Sequence, residues 1–124
     1  MIPELSVFDI ERTKKFYREL GFKIEYERTE DKFVFMSFQD SQFMFEQIHD
    51  DGWNIGELVY PLGRGINFSI AVDDIEELYK LVINLNIELY RELTRNIYQV
   101  NGIEEMQIEF LIQDPNGYLL RFTN

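Results

Sequence analysis

Apolar and polar residues alternate at the start of the chain. Leu5 and Val7 share one face, and Ile2, Glu4 and Ser6 share the other, which reads as a strand. The period then lengthens. Ile10, Thr13, Phe16, Tyr17 and Leu20 recur at helical spacing behind Asp9, whose carboxylate suits an N-cap. Gly21 ends the run, because glycine takes the left-handed exit without a Cβ penalty. Alternation resumes over 22–28, 33–38 and 42–48, with polar turns at 29–32 and 39–41. The order is strand, helix, three strands.

The same order returns. Laid with Asp9 on Asp74, Leu5 meets Ile70, Val7 meets Val72, Ile10 meets Ile75, Glu11 meets Glu76 and Leu20 meets Leu85. The second half predicts a strand over 66–72 and a helix with Ile75, Leu78, Tyr79, Val82 and Leu85 as its apolar stripe. Asp74 and Glu77 stand at capping-box positions, and Asn86 suits the exit. Strands follow at 87–93, 106–113 and 118–123, with a polar, glycine-containing excursion at 94–105 and a tight Asp114-Pro-Asn-Gly117 turn. We therefore expect an α+β fold, one domain over 1–124. It divides into a first βαβββ module (1–48), a linker (49–64) and a second βαβββ module (65–124). One helix covers one face of each sheet. The other face, mixed in character on the first strand of each module, lines a concave site or is buried by the other module.

Composition narrows the function classes. Among 124 residues, 45% are hydrophobic and 15% aromatic, enough apolar surface for a core. The absence of cysteine excludes disulfides, thiolate metal sites and a cysteine nucleophile. Neither a basic-then-apolar leader nor an apolar stretch of about 18 residues is visible, so the expected location is the cytoplasm. Twelve basic against 23 acidic side chains give a formal net charge of −11. That field disfavours nucleic acid and anionic membrane as partners and attracts cations.

The repeat, the Asp-Ile-Glu helix starts and the closing Asp114-Pro-Asn-Gly-Tyr-Leu-Leu-Arg121 segment together resemble the vicinal-oxygen-chelate superfamily of glyoxalases, extradiol dioxygenases and bleomycin-resistance proteins. The resemblance implies paired βαβββ modules forming a cup-shaped mixed sheet, often completed across a homodimer. Metal-using members carry His on the first strand of each module and Glu on the last. Those positions fall here on Ile2, Asn67, Glu46 and Arg121. Only the first-module Glu survives, as Glu46; Ile2 has no donor atom and Arg121 brings a positive charge, so the implied set holds no metal and no cofactor is expected. The single histidine, His49, at the linker entrance, is read as solvated or structural. Arg121, a cation where a metal would sit, is expected to face Glu46 across the cup, within a chain or between chains.

Among metal-free members the match tightens on the bleomycin-resistance proteins. Phe45-Glu46-Gln47, Trp53, Gly56-Glu57-Leu58 and Pro61-Leu-Gly-Arg-Gly65 resemble their linker, and 110–122 resembles their closing hairpin. The implied activity is sequestration, without catalysis, of a cationic glycopeptide bearing flat heterocycles. Phe33, Phe35, Trp53 and Tyr60 are the expected stacking rings, with Glu46, Asn67 and Arg121 as polar contacts. The alternatives are a glyoxalase-like isomerase or lyase, using Glu46 in acid–base work, and a binding protein for another small molecule. Phe33 and Phe35 also read as plain core residues.

Overall fold

The computed structural model describes residues 1–124. The first module comprises β1 (Glu4–Val7), α1 (Ile10–Glu19), β2 (Lys23–Arg28), β3 (Phe33–Phe38) and β4 (Ser41–Gln47). The second comprises β5 (Asn67–Ala71), α2 (Ile75–Asn84), β6 (Leu89–Val100), β7 (Ile103–Gln113) and β8 (Leu119–Thr123). The sheets run β1-β4-β3-β2 and β5-β8-β7-β6, and no strand bridges them. In each, the first strand pairs in parallel with the last and the other pairs are antiparallel, so both sheets are mixed. The fold is the expected pair of βαβββ modules.

The helices begin where the sequence signals them. Asp9 accepts from the Arg12 amide and Asp74 from the Glu77 amide, each satisfying a free N–H of a first turn. Ile10, Thr13, Tyr17 and Leu20 are buried on α1, and Ile75, Leu78 and Val82 on α2. One element departs from expectation. Residues 94–105 are not an irregular excursion. They complete a long β6–β7 ribbon turned at Asn101 and Gly102, both at positive φ. Beyond the reach of β8 this arm exposes Ile97, Tyr98, Val100, Ile103 and Met106. With both faces wet, its apolar residues fall on both of them, as consecutive Ile97 and Tyr98 do, so no alternation betrays a strand period.

The modules meet through the faces that carry the helices. A single core of 21 buried residues spans both, and Phe43 of β4 lies edge-on to Phe68 of β5 at 5.1 Å. At its edge sits a polar latch. The Tyr17 hydroxyl, on a fully buried side chain, donates to Asp114 Oδ2 at 2.8 Å. The amides of Asn116 and Tyr118 donate to Asp114 Oδ1 at 2.8 and 2.9 Å. Asn116 in turn donates to Thr13 and accepts from the Phe8 amide, and the Tyr118 hydroxyl donates to the Ser6 carbonyl. Burial pushes the Asp114 carboxyl above the ordinary aspartate range, against the donors from Asn116, Tyr17 and Tyr118 that pull it down. Burial and the Asp114 charge push the Tyr17 phenol well up, so it stays a donor.

The linker locks onto the same turn. The Leu62 amide donates to the Asn116 carbonyl at 2.9 Å. Gly117, at φ +101°, lies so close that a Cβ there would meet Pro61 Cβ at 2.5 Å and Pro61 Cα at 2.6 Å. Two substitutions test the latch by urea unfolding. Tyr17→Phe removes one donor from a buried carboxylate, and we expect it to cost about 1.5–3 kcal/mol. Gly117→Ala adds an atom against backbone at a positive φ, with an expected cost of about 1–3 kcal/mol. Unchanged midpoints would show that the turn is not what joins the modules.

Candidate functional site

Register decides which side chains share a face. In the first sheet Glu4 lies beside Met44, Ser6 beside Glu46, Glu46 opposite Phe33, Met44 opposite Phe35, Phe35 opposite Tyr26 and Phe33 opposite Arg28. All eight therefore occupy the face away from α1, because strand neighbours in register point the same way. The residues between them, including Leu5, Val7, Val34, Met36, Phe43 and Phe45, belong to the core. The open face combines rings with carboxylates. Phe33 is buried yet stands outside the main core. Its cover is the Arg28 guanidinium, 4.1 Å above the ring and 5.7 Å from the Tyr26 ring. Phe35 is half-buried and Tyr26 is exposed.

Glu4 and Glu46 stand together on this face. Desolvation, then a hydrogen bond and charge repulsion from Glu46, raise the Glu4 carboxyl above its ordinary value, while Arg28 opposes the shift. Glu46 Oε1 also sits 2.8 Å from His49 Nε2. His49 is thus a partner of Glu46, a contact that its place at the linker entrance did not disclose. No three His, Asp or Glu side chains are grouped to hold a metal ion.

The open face of the second sheet carries Asn67, Ser69, Ala71, Leu119, Arg121, Thr123, Glu109 and Leu111, again by register. Arg121 Nε donates to Asn67 Oδ1 at 3.2 Å, and Arg121 Nη1 lies 3.5 Å from Glu109 Oε2. Asn67 and Arg121 are therefore brought together. The pair expected between Glu46 and Arg121 does not form within one chain: the ion pair of Arg121 is with Glu109, and the partner of Glu46 is His49. The physical reason is that the modules join back to back, through their helix-bearing faces, so the two open faces look outward.

The linker aromatics lie apart from this set. Trp53 is 97% exposed. Tyr60 lines a groove of about 1120 Å³ with Phe8, Arg12 and Phe16, on the side of α1. Sequence reasoning missed Glu4, Tyr26 and Arg28. Strand parity held the signal for Glu4, which shares the Ile2/Ser6 face; the bulge between Ile24 and Tyr26 hid the others by breaking the alternation of β2.

Comparison with known proteins fits this architecture. A family model described as bleomycin resistance protein-like N-terminal matches residues 1–38. No curated protein is matched. A glyoxalase/bleomycin resistance protein/dioxygenase from Alicyclobacillus acidocaldarius is 26% identical, with 99% of this chain and 88% of that chain covered at a TM-score of 0.68. A bleomycin resistance determinant encoded on transposon Tn5 is 22% identical, covering 100% of this chain and 95% of that one, at 0.68. A superfamily member from Vibrio splendidus 12B01 shares 35% identity over 97% of this chain and 93% of its own, at 0.45, a likeness of sequence alone. With the repeated module, the matched N-terminal segment and the fold shared with these solved structures, the chain is similar to members of the glyoxalase/bleomycin resistance/dioxygenase superfamily.

Proposed function

We propose that this chain is a binding protein of bleomycin-resistance type. It takes up a cationic small molecule with flat rings in an acidic, aromatic cleft that a second copy completes. The observation that carries this reading is the open face of the first sheet, where Phe33, Phe35 and Tyr26 stand beside the carboxylates Glu4 and Glu46. Rings stack on planar heterocycles and attract cations, and carboxylates in a partly dry site strengthen that attraction. Arg28 already shows what the Phe33 ring can hold. A net charge of −11 favours encounter with a cation.

The same geometry supports a dimer. Each chain supplies one aromatic and acidic face and one face bearing Asn67 and Arg121, both turned outward. A two-fold arrangement sets the first face of each copy against the second face of the other, giving two equivalent clefts. Glu46 and Arg121 then approach across the interface. Antibiotic resistance by sequestration, in the cytoplasm, is the biological role that fits a non-catalytic cleft of this kind.

Calorimetric titration with metal-free bleomycin or phleomycin is the direct test. We expect saturable binding that weakens as salt rises, that EDTA leaves unchanged, and that Glu46→Gln and Phe35→Ala each weaken by about tenfold or more. No heat and no protection at high micromolar ligand would rule out this ligand class.

One observation favours a second reading, an acid–base enzyme of the superfamily: Glu4 is held above the ordinary glutamate range beside Glu46. Carboxyl NMR titration of the wild type and Glu46→Gln checks the coupling. Removing Glu46 takes away a hydrogen bond and a repulsion but leaves desolvation, the larger cause. The Glu4 pKa should fall part of the way towards its ordinary value; no movement would mean that the pair is uncoupled.

A further inference from the structure

The chain contains two Asn-Gly steps, Asn101–Gly102 and Asn116–Gly117, in opposite settings. Asparagine is a thermolabile residue. It is most exposed to attack before glycine, where no side chain shields the following amide nitrogen. The other internal asparagines precede Ile, Leu or Phe, which crowd that nitrogen.

Asn101 and Gly102 form the tip of the β6–β7 ribbon at φ 52° and 78°, the two-residue turn that Asn-Gly favours. Both are exposed. The Gly102 amide has no backbone acceptor, and no hydrogen bond holds the Asn101 side chain. A Cβ placed on Gly102 would meet nothing within 4 Å. β8 pairs no further along β7 than Glu109, so no third strand supports the tip and its local opening costs little.

The second step is tied at each group the chemistry needs. Asn116 is 1% exposed. Its side-chain amide donates to Thr13 Oγ1 at 3.2 Å and to Asp114 Oδ2 at 3.1 Å, and its Oδ1 accepts from the Phe8 amide at 2.9 Å. The Gly117 amide donates to the Asp114 carbonyl at 3.1 Å. Moving either group breaks the contacts that join the modules.

We propose that Asn101–Gly102 is a site of spontaneous covalent modification, at which the folded protein converts Asn101 to isoaspartate and aspartate, while the latch protects Asn116–Gly117. The Gly102 nitrogen attacks Asn101 Cγ and gives its proton to solvent base. The new C–N bond closes a succinimide ring, and the Cγ–NH2 bond breaks with the amine leaving, protonated, as ammonia. Water then adds to one of the two ring carbonyls. Cleavage at Cγ leaves aspartate; cleavage at the backbone carbonyl routes the chain through the side chain and leaves isoaspartate. Either product adds a carboxylate beside Glu104 and Glu105. The isoaspartate also lengthens the backbone by one methylene, which a two-residue turn cannot absorb while Val100 stays opposite Ile103. The inference does not rest on what the open sheet faces bind.

The test follows the full-length protein at mildly alkaline pH, folded and in urea, by peptide mass mapping, ammonia release and enzymatic methylation of isoaspartate. In the folded protein the peptide bearing Asn101 should convert about 100-fold or more faster than the one bearing Asn116, because opening the latch gives up several buried hydrogen bonds. In urea the two should convert at comparable rates. Asn101→Gln should remove the acidic product of the folded protein. Hydrogen exchange at the ribbon tip should quicken in the isoaspartate form. Retention of Asn101 in the folded protein over the time in which the unfolded chain is converted would overturn the proposal. So would conversion of Asn116 in the folded state as fast as Asn101.

Discussion

One buried carboxylate organises this molecule. Asp114 closes its own turn through the amides of Asn116 and Tyr118 and takes the Tyr17 hydroxyl from the other module. A carboxylate removed from water must be met by donors, and here the donors come from both halves of the chain. The demand fixes their relative position more narrowly than apolar packing would, because oily faces slide where a hydrogen bond tolerates only tenths of an ångström. Gly117 and the Leu62 amide extend the constraint to the connection between modules.

That fixed position has a second effect. With the helix-bearing faces committed to each other, both open sheet faces point out of the monomer. Sheet faces holding Phe35 and Met44 on one module, and Leu119 and Leu111 on the other, among polar groups are too apolar to be indifferent to water and too polar to be core. Such a face is suited to a reversible occupant. The side chains at the positions where the resemblance implies metal ligands act in the same direction. Asn67 and Arg121 hydrogen-bond to one another, and Glu46 turns to His49, so the polar groups are satisfied by protein atoms.

Local signals in the sequence were legible because local physics decides them. Strand parity separated Leu5 and Val7 from Glu4 and Ser6, and Asp9 and Asp74 capped helices through amides three residues away. The repeat disclosed the two modules. Longer-range features were hidden. Tyr17 reads as one more ring on an apolar stripe, because its partner is 97 residues distant. The β6–β7 ribbon was obscured by having solvent on both sides. Opposite charges on Glu46 and Arg121 advertised attraction, but charge carries no information about which faces of two modules are turned towards each other.

The latch also bears on how the protein comes into being. The first module is synthesised complete by Gln47, yet the donor on Tyr17 has no acceptor until Asp114 appears, 97 residues later, between β7 and β8. Until then a phenol destined for a dry site must stay hydrated, and the helix that carries it cannot settle on its final neighbours. A nascent chain therefore keeps its first module provisional until the Asp114 turn has been made.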